Sequence, residues 1–262
     1  YTTDGTDPDQ SSNLFIDPIP ISETTTLKAR AYKDGFEPSL IGTAQYNFAE
    51  TVATLAELRD GVIGNTYTIS GEVWLTFQQS YRNQKFVQDA TAGILIDDDA
   101  GILTSDYEIG DGITGITGVL GEYGNMLQFV PEADPGDPTS SGNFPEPQLV
   151  SIGELFTNFE DYESELVKIE LATFLDGGGT FATGQDYPII DDSDAEGVFR
   201  TNFYGANYID NIIPSVPTDI IGLPNSSFNG DYITARDDDD LIPNEVDPEM
   251  LVLPPNGGET WE

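Results

Sequence analysis

Cysteine and histidine are both absent from the sequence, and basic residues are few: 9 Lys and Arg stand against 47 Asp and Glu, for a formal net charge of −38. Without cysteine there are no disulfides and no thiol nucleophile. Without histidine the usual zinc ligand sets and any Ser-His-Asp triad are excluded as well. Three of the nine bases, Lys28, Arg30 and Lys33, fall within six residues, and beyond position 60 only Arg82, Lys85, Lys168, Arg200 and Arg236 remain. So acidic a surface repels nucleic-acid phosphates and anionic membranes. It attracts cations, divalent ones most of all, because carboxylate oxygens suit hard ions. Nucleic acid is therefore not an expected partner. No apolar run approaches the ~20 residues that span a bilayer, so direct membrane insertion is not expected either.

Helical patterning is scarce too. Two short segments qualify, Thr54 to Asp60 (TLAELRD) and Ser151 to Asn158 (SIGELFTN), each opening on Ser or Thr with Glu three residues later, the spacing of a capping box. Nearly everything else alternates apolar and polar residues over five to eight positions, as in Thr66 to Leu75 (TYTISGEVWL), Ile113 to Leu120 and Leu166 to Leu171. Twenty-seven glycines and 17 prolines punctuate these runs. Period-two patterning broken by turn formers predicts an all-β chain. With 38% hydrophobic residues there is material for real cores.

An internal repeat organises the middle of the chain. TLAEL at 54–58 matches SIGEL at 151–155, and TYTISGEVWL at 66–75 matches LVKIELATFL at 166–175. FVQDATAGILIDDD at 86–99 matches YPIIDDSDAEGVF at 187–199, GDGITGITG at 110–118 matches VPTDIIG at 216–222, and MLQFV at 126–130 matches YITAR at 232–236. The expected units are residues 1–49, 50–143, 144–243 and 244–262. The proline-rich stretch from Pro131 to Pro147 reads as an extended connector, since proline does not sit inside a central strand. The last unit, with NEVDPEM followed by LVLPPNGGETWE, reads as a linker and the first strand of a further domain. The chain opens at Tyr1 inside a strand or turn, and we expect an internal fragment of a larger protein.

Residues 1–49 carry the turn Thr3-Asp4-Gly5-Thr6-Asp7-Pro8, the strand Thr26 to Tyr32 (TLKARAY) and the turn Lys33-Asp34-Gly35. On these elements the segment resembles the chitobiase/β-hexosaminidase C-terminal type β-sandwich with its first strand missing. The resemblance implies an accessory module of secreted bacterial proteins that is not itself the hydrolase. Residues 51–243 resemble two tandem OB-fold-type domains of secreted Bacteroidota proteins, and PNGGETWE resembles the opening strand of an Ig-like repeat. Together these imply an extracellular or outer-surface multidomain protein, exported by the type IX route. The fold expected is a partial Ig/Fn3-like sandwich, two OB-like barrels and the first strand of an Ig-like domain.

Three acidic clusters are candidate calcium sites: Asp97 and Asp99 in the DDD run at 97–99; Asp191, Asp192, Asp194 and Glu196 in DDSDAEG at 191–197, placed at the equivalent point of the second copy; and Asp237 and Asp239 in the DDDD run at 237–240. Adjacent carboxylates repel one another, and a calcium ion held by six to eight oxygens relieves the repulsion. None of the clusters has EF-hand spacing. The competing reading is a solvated acidic turn. Asp4, Asp7 and Asp9 around the first turn are a further candidate ion site, against which stands the ordinary turn-shaping role of DG and DP pairs such as Asp4-Gly5 and Asp7-Pro8.

Aromatic side chains are the candidate ligand contacts: Trp74 and Tyr81 in the first copy, Phe203, Tyr204 and Tyr208 in the second, for stacking on sugar rings. Trp74 and Phe86 fall within strands, where core packing competes with that role. No pair of carboxylates is set apart as a glycosidase acid and base, so no catalytic residue and no enzyme activity are expected. The function expected is a non-catalytic, calcium-stabilised structural or adhesion region, whose partners are the other domains of its chain and either a polysaccharide or a cell-surface protein. The alternatives are polysaccharide-binding accessory modules of a secreted hydrolase, or the accessory region of an extracellular nuclease.

Overall fold

The computed structural model describes residues 1–244; the expected start of an Ig-like domain lies outside them. The first unit is a two-stranded antiparallel sheet, β1 (Thr25–Ala29) and β2 (Gly42–Tyr46). The N-terminal segment bridges its edge at Thr2–Lys28 and Asp4–Thr26. The acids here shape turns: Asp4 Oδ1 accepts from the Thr6 amide at 3.0 Å, Asp9 Oδ1 from the Ser11 amide at 2.8 Å, and Asp7 pairs with Lys28 at 2.8 Å.

The first barrel begins with β3 (Glu50–Val52) and helix α1 (Leu55–Arg59), followed by β4 (Thr66–Gln78), β5 (Lys85–Gln88), β6 (Gly93–Ile96), β7 (Gly112–Tyr123) and β8 (Met126–Ala133). Strands β4-β5-β6-β8-β7 form a sheet that closes by pairing β4 with β7, and β6 with β8 is the parallel pair. Tyr67, Ile69, Val73 and Leu75 of β4 point inward, as the period-two pattern requires, and meet Leu55 and Leu58 of α1 in the core. A bulge between Ile69 and Glu72 bends β4. Glycine is required there, because a Cβ on Gly71 would lie 2.1 Å from the Ala53 carbonyl oxygen.

The second barrel repeats the plan with β9 (Gln148–Leu149), α2 (Ile152–Thr157), β10 (Val167–Phe174), β11 (Asp186–Ile190), β12 (Glu196–Arg200), β13 (Thr218–Ser227), β14 (Gly230–Thr234) and β15 (Leu241–Pro243). Its circuit β10-β11-β12-β14-β13-β10 has the same connectivity and the same parallel third-to-fifth pairing. The register of β10 shifts between Ile169 and Ala172, at the point of the repeat where Gly71 stands in the first copy. Every segment of the sequence repeat lands on matching elements. The chain is all-β: a partial sandwich followed by barrels.

The proline-rich stretch is not a free connector. Pro131 lies within β8 opposite Gly118, beyond the two residues through which β8 pairs with β6, so its missing N–H leaves no gap in the ladder. Residues 139–143 then strap back onto the first barrel: Thr139 and Asn143 donate backbone N–H bonds to Gly112 and Gly110, each at 2.8 Å.

The two barrels share a core. Phe86, Leu95 and Met126 of the first are buried in one cluster with the residues of the second. Phe203, from the segment after β12, stacks on Phe77 with ring centroids 4.2 Å apart and meets Phe86 edge-on at 5.4 Å. Around this contact, Gln88 Oε1 accepts from the Leu166 amide at 2.8 Å and Arg236 donates to the Thr76 carbonyl at 3.2 Å. The backbone of Gly93 lies close against Ser164 of the second barrel, where an added Cβ would sit 2.5 Å from the Ser164 carbonyl.

Candidate functional site

Each acidic cluster has carboxylates that are already partnered. Asp97 is buried and receives Arg82 through two nitrogens, Nε at 2.8 Å and Nη2 at 2.5 Å, while Asp99 takes the third nitrogen, Nη1, at 3.2 Å. Asp98, absent from the candidate ligands, is the most buried of the three and accepts the amides of Ile102 and Leu103 at 2.6 and 3.0 Å. In the last cluster Asp237 accepts the Asp239 amide at 3.1 Å, and Asp240, another buried acid outside the candidate set, holds Arg236 in a two-pronged pair at 2.8 Å. Asp239 is exposed.

Asp191 has a different occupation. Its Oδ2 accepts the Ile152 amide at the start of α2 (2.9 Å), and its Oδ1 accepts the amide and hydroxyl of Ser193. Burial works to raise its pKa, but these bonds win and hold the carboxyl below its usual value. Asp89 makes the matching contacts in the first barrel: Oδ2 accepts the Leu55 amide at 2.8 Å and Oδ1 the Thr91 amide at 2.7 Å. The counterpart of Asp191 is thus Asp89, in the turn between the second and third barrel strands, and not the 97–99 run, which follows the third. Asp192 and Asp194 are exposed in this turn, and Glu196 opens β12 opposite Ile190. Among the described residues no three acidic side chains converge as metal ligands.

These two aspartates staple each helix to its barrel. Asp89→Ala and Asp191→Ala are each expected to lower stability by about 0.5–2 kcal/mol, the range for losing a side chain that accepts from a helix N-terminal amide. The loss should be equal in millimolar-scale calcium and in EDTA, measured by urea unfolding. A loss confined to calcium buffer would restore the metal reading.

The aromatic candidates divide. Tyr208 lies in the second barrel's interior, its hydroxyl donating to the Ala235 carbonyl at 3.1 Å, and is no surface contact. Phe203 is buried between the barrels. Trp74 is half-buried and lines a separate acidic cleft with Asp89 and Glu165. Tyr81 and Tyr204, by contrast, meet across the junction with ring centroids 4.8 Å apart and planes at 7°, and remain 45% and 62% exposed. Tyr204 is held by its amide, which donates to Gln79 Oε1 at 2.9 Å.

The Tyr81–Tyr204 pair forms one wall of a groove of about 280 Å³ between the barrels. A second exposed pair, Tyr123 and Phe228, packs edge to face at 5.2 Å and belongs to the same groove. The two residues end β7 and follow β13 at equivalent hairpins, YGN and FNG, so an aromatic at each turn was the available signal. An adjoining cavity of about 230 Å³ shares Tyr81, Gln84, Tyr123 and Gln128.

Comparison with known families matches residues 1–43 to the chitobiase/beta-hexosaminidase C-terminal domain. No curated protein matches the chain. The first unit is thus similar to the chitobiase/beta-hexosaminidase C-terminal domain, and it is joined to two barrels that share one core.

Proposed function

We propose that this region is a non-catalytic accessory part of a secreted or cell-surface multidomain protein, in which two OB-type barrels act as one rigid platform. The observation that carries the reading is the shared core: Phe77, Phe86 and Phe203 pack as the interior of one domain, not as a contact between hinged modules. The strand order and the parallel third-to-fifth pairing support the OB-type assignment. Residues 1–43 support the accessory role, and an extracellular bacterial setting is part of the same proposal. Type IX export of a Bacteroidota protein is the finer form of that setting.

Binding, not chemistry, is what the side chains offer. The chain has no histidine or cysteine. Glu163, a carboxyl held near neutrality, is buried at the junction, where Arg59 and the Leu127 amide occupy it. An adhesive stalk of separately hinged barrels fits less well, because Phe203 packs against Phe77 and Phe86 in a core that both barrels share. Calcium plays no part in this reading, and the surface charge leaves no role on nucleic acid. Small-angle scattering of the full chain tests the platform: the curve should require a single two-barrel body with a fixed spacing. Scattering that demands an ensemble of barrel separations would overturn it.

A further inference from the structure

We propose that the groove between the barrels binds a neutral oligosaccharide, a single strand of a hexopyranose polymer. The inference rests on the platform just described, because neither barrel alone builds the groove. Tyr81 and Tyr123 come from the first barrel, Tyr204 and Phe228 from the second. Four large rings left exposed in one recess are unusual for a surface with nothing to bind. Flat rings suit the apolar C–H faces of pyranoses.

Polar groups around the rings set the ligand class. Gln84, Gln128 and Asn202 line the groove. A side-chain amide carries both donors and an acceptor, matching hydroxyls that are both. Gln84 is held at both ends of its amide, accepting from Gln79 at 2.8 Å and donating to Asp97 at 3.2 Å, whereas Gln128 and Asn202 make no side-chain hydrogen bond among the described residues. A proline-rich peptide, the other ligand that exposed tyrosines suit, offers chiefly carbonyl acceptors and would leave the amide oxygens unmatched.

Charge removes the remaining classes. Arg82, the cation lining the smaller cavity, is consumed by Asp97 and Asp99. On a chain of net charge −38 no cation is left there to receive a uronic acid, sulfate or phosphate. The two adjoining cavities together reach the ~300–1,000 Å³ span of small-ligand sites. Their shared lining, Tyr81 with Tyr123, makes the groove continuous, as a chain-like ligand requires.

Calorimetric titration of the full chain with cellohexaose, mannohexaose and chitohexaose, with polygalacturonate and a proline-rich decapeptide as controls, tests the assignment. At least one neutral hexasaccharide should bind, polygalacturonate should not, and Tyr123→Ala and Tyr204→Ala should each weaken binding about tenfold. Gln128→Ala, which removes no hydrogen bond of the fold, should weaken it several-fold. Binding of none of the three sugars at 10 mM-scale concentration, affinity unchanged in all three variants, or binding of the peptide alone would each overturn the proposal. Unfolding recorded on the same samples separates the two readings. A single cooperative transition without sugar binding discards the groove and leaves the platform standing, whereas independent barrel transitions discard both.

Discussion

Truncating Phe203 to alanine is expected to lower the stability of the two-barrel unit by about 3–5 kcal/mol, the range for removing a buried phenylalanine. The ring is 1% exposed and faces three hydrophobic neighbours in one place, stacked on Phe77, edge-on to Phe86 and beside Leu95. Phe86 is fixed in the β5 ladder opposite Phe77 and Leu95, which limits how far the junction can close over the space. The loss should be unevenly felt. Each barrel keeps its own closed ladder and its own helix, so the shared surface weakens first and the single transition of the wild type should separate into two. Urea unfolding followed by circular dichroism, with hydrogen exchange resolved by barrel, measures both. A drop below 1 kcal/mol with one transition retained would mean that the junction carries little of the coupling.

That junction was legible in the sequence, though in a place where alternation fails. The strands β5 (KFVQ) and β6 (GILI) have every residue buried. A barrel strand with one face in water alternates; an unbroken apolar run such as GILI has both faces covered. The outward Phe86 and Leu95 are the residues that the second barrel covers. The repeat itself was readable from short matches such as TLAEL with SIGEL, because each helix start needs the same cap: Thr54 and Ser151 accept the amides of Glu57 and Glu154.

Acidic residues are hard to assign from sequence for a physical reason. A carboxylate that staples a backbone amide and one that would hold an ion look alike in a sequence, since both favour Asp beside Ser, Thr or Gly in turns. Asp191 belongs to the first kind, and the pattern that shows it is D-x-[ST] directly after the second barrel strand, common to Asp89-Ala90-Thr91 and Asp191-Asp192-Ser193. The arginine pairs of Asp97 and Asp240 were harder to foresee. Arg236 stands four residues from Asp240, but Arg82 reaches Asp97 only because β5 and β6 fold back as a hairpin. Tyr81 and Tyr204 lie 123 positions apart, and only the docking of the barrels brings them together.

Docking should also depend on pH, through Glu163. Its side chain is wholly buried where α1 of the first barrel meets the second, and burial pushes the carboxyl up to about 7. Arg59, with nitrogens 3.3 and 3.4 Å from Oε2, and the Leu127 amide at 3.2 Å pull it down, while Glu160 pushes it up further. Ser226 also pulls it down, but the Ser226 hydroxyl donates to Asp231 at 2.9 Å and Glu163 Oε1 is left without a hydrogen-bond partner, which disfavours the anion. An acid whose folded value lies above its unfolded one stabilises the folded state most when protonated. The contribution is complete below the unfolded value near 4.5 and is lost as pH rises through about 7. From the size of that displacement, stability should fall by roughly 3 kcal/mol between pH 5 and 8 on account of this group. Self-repulsion of a strongly acidic chain grows in the same direction, and Glu165, also raised by burial, adds to it. The difference between wild type and Glu163→Gln isolates the one carboxyl, because the amide keeps the shape and cannot ionise. The variant should match the wild type within about 1 kcal/mol at pH 5 and exceed it at pH 8. Equal pH slopes for the two proteins would show that Glu163 does not titrate in this range. A variant less stable at pH 8 would show instead that the Arg59 pair outweighs burial and holds the barrels together as an ion pair.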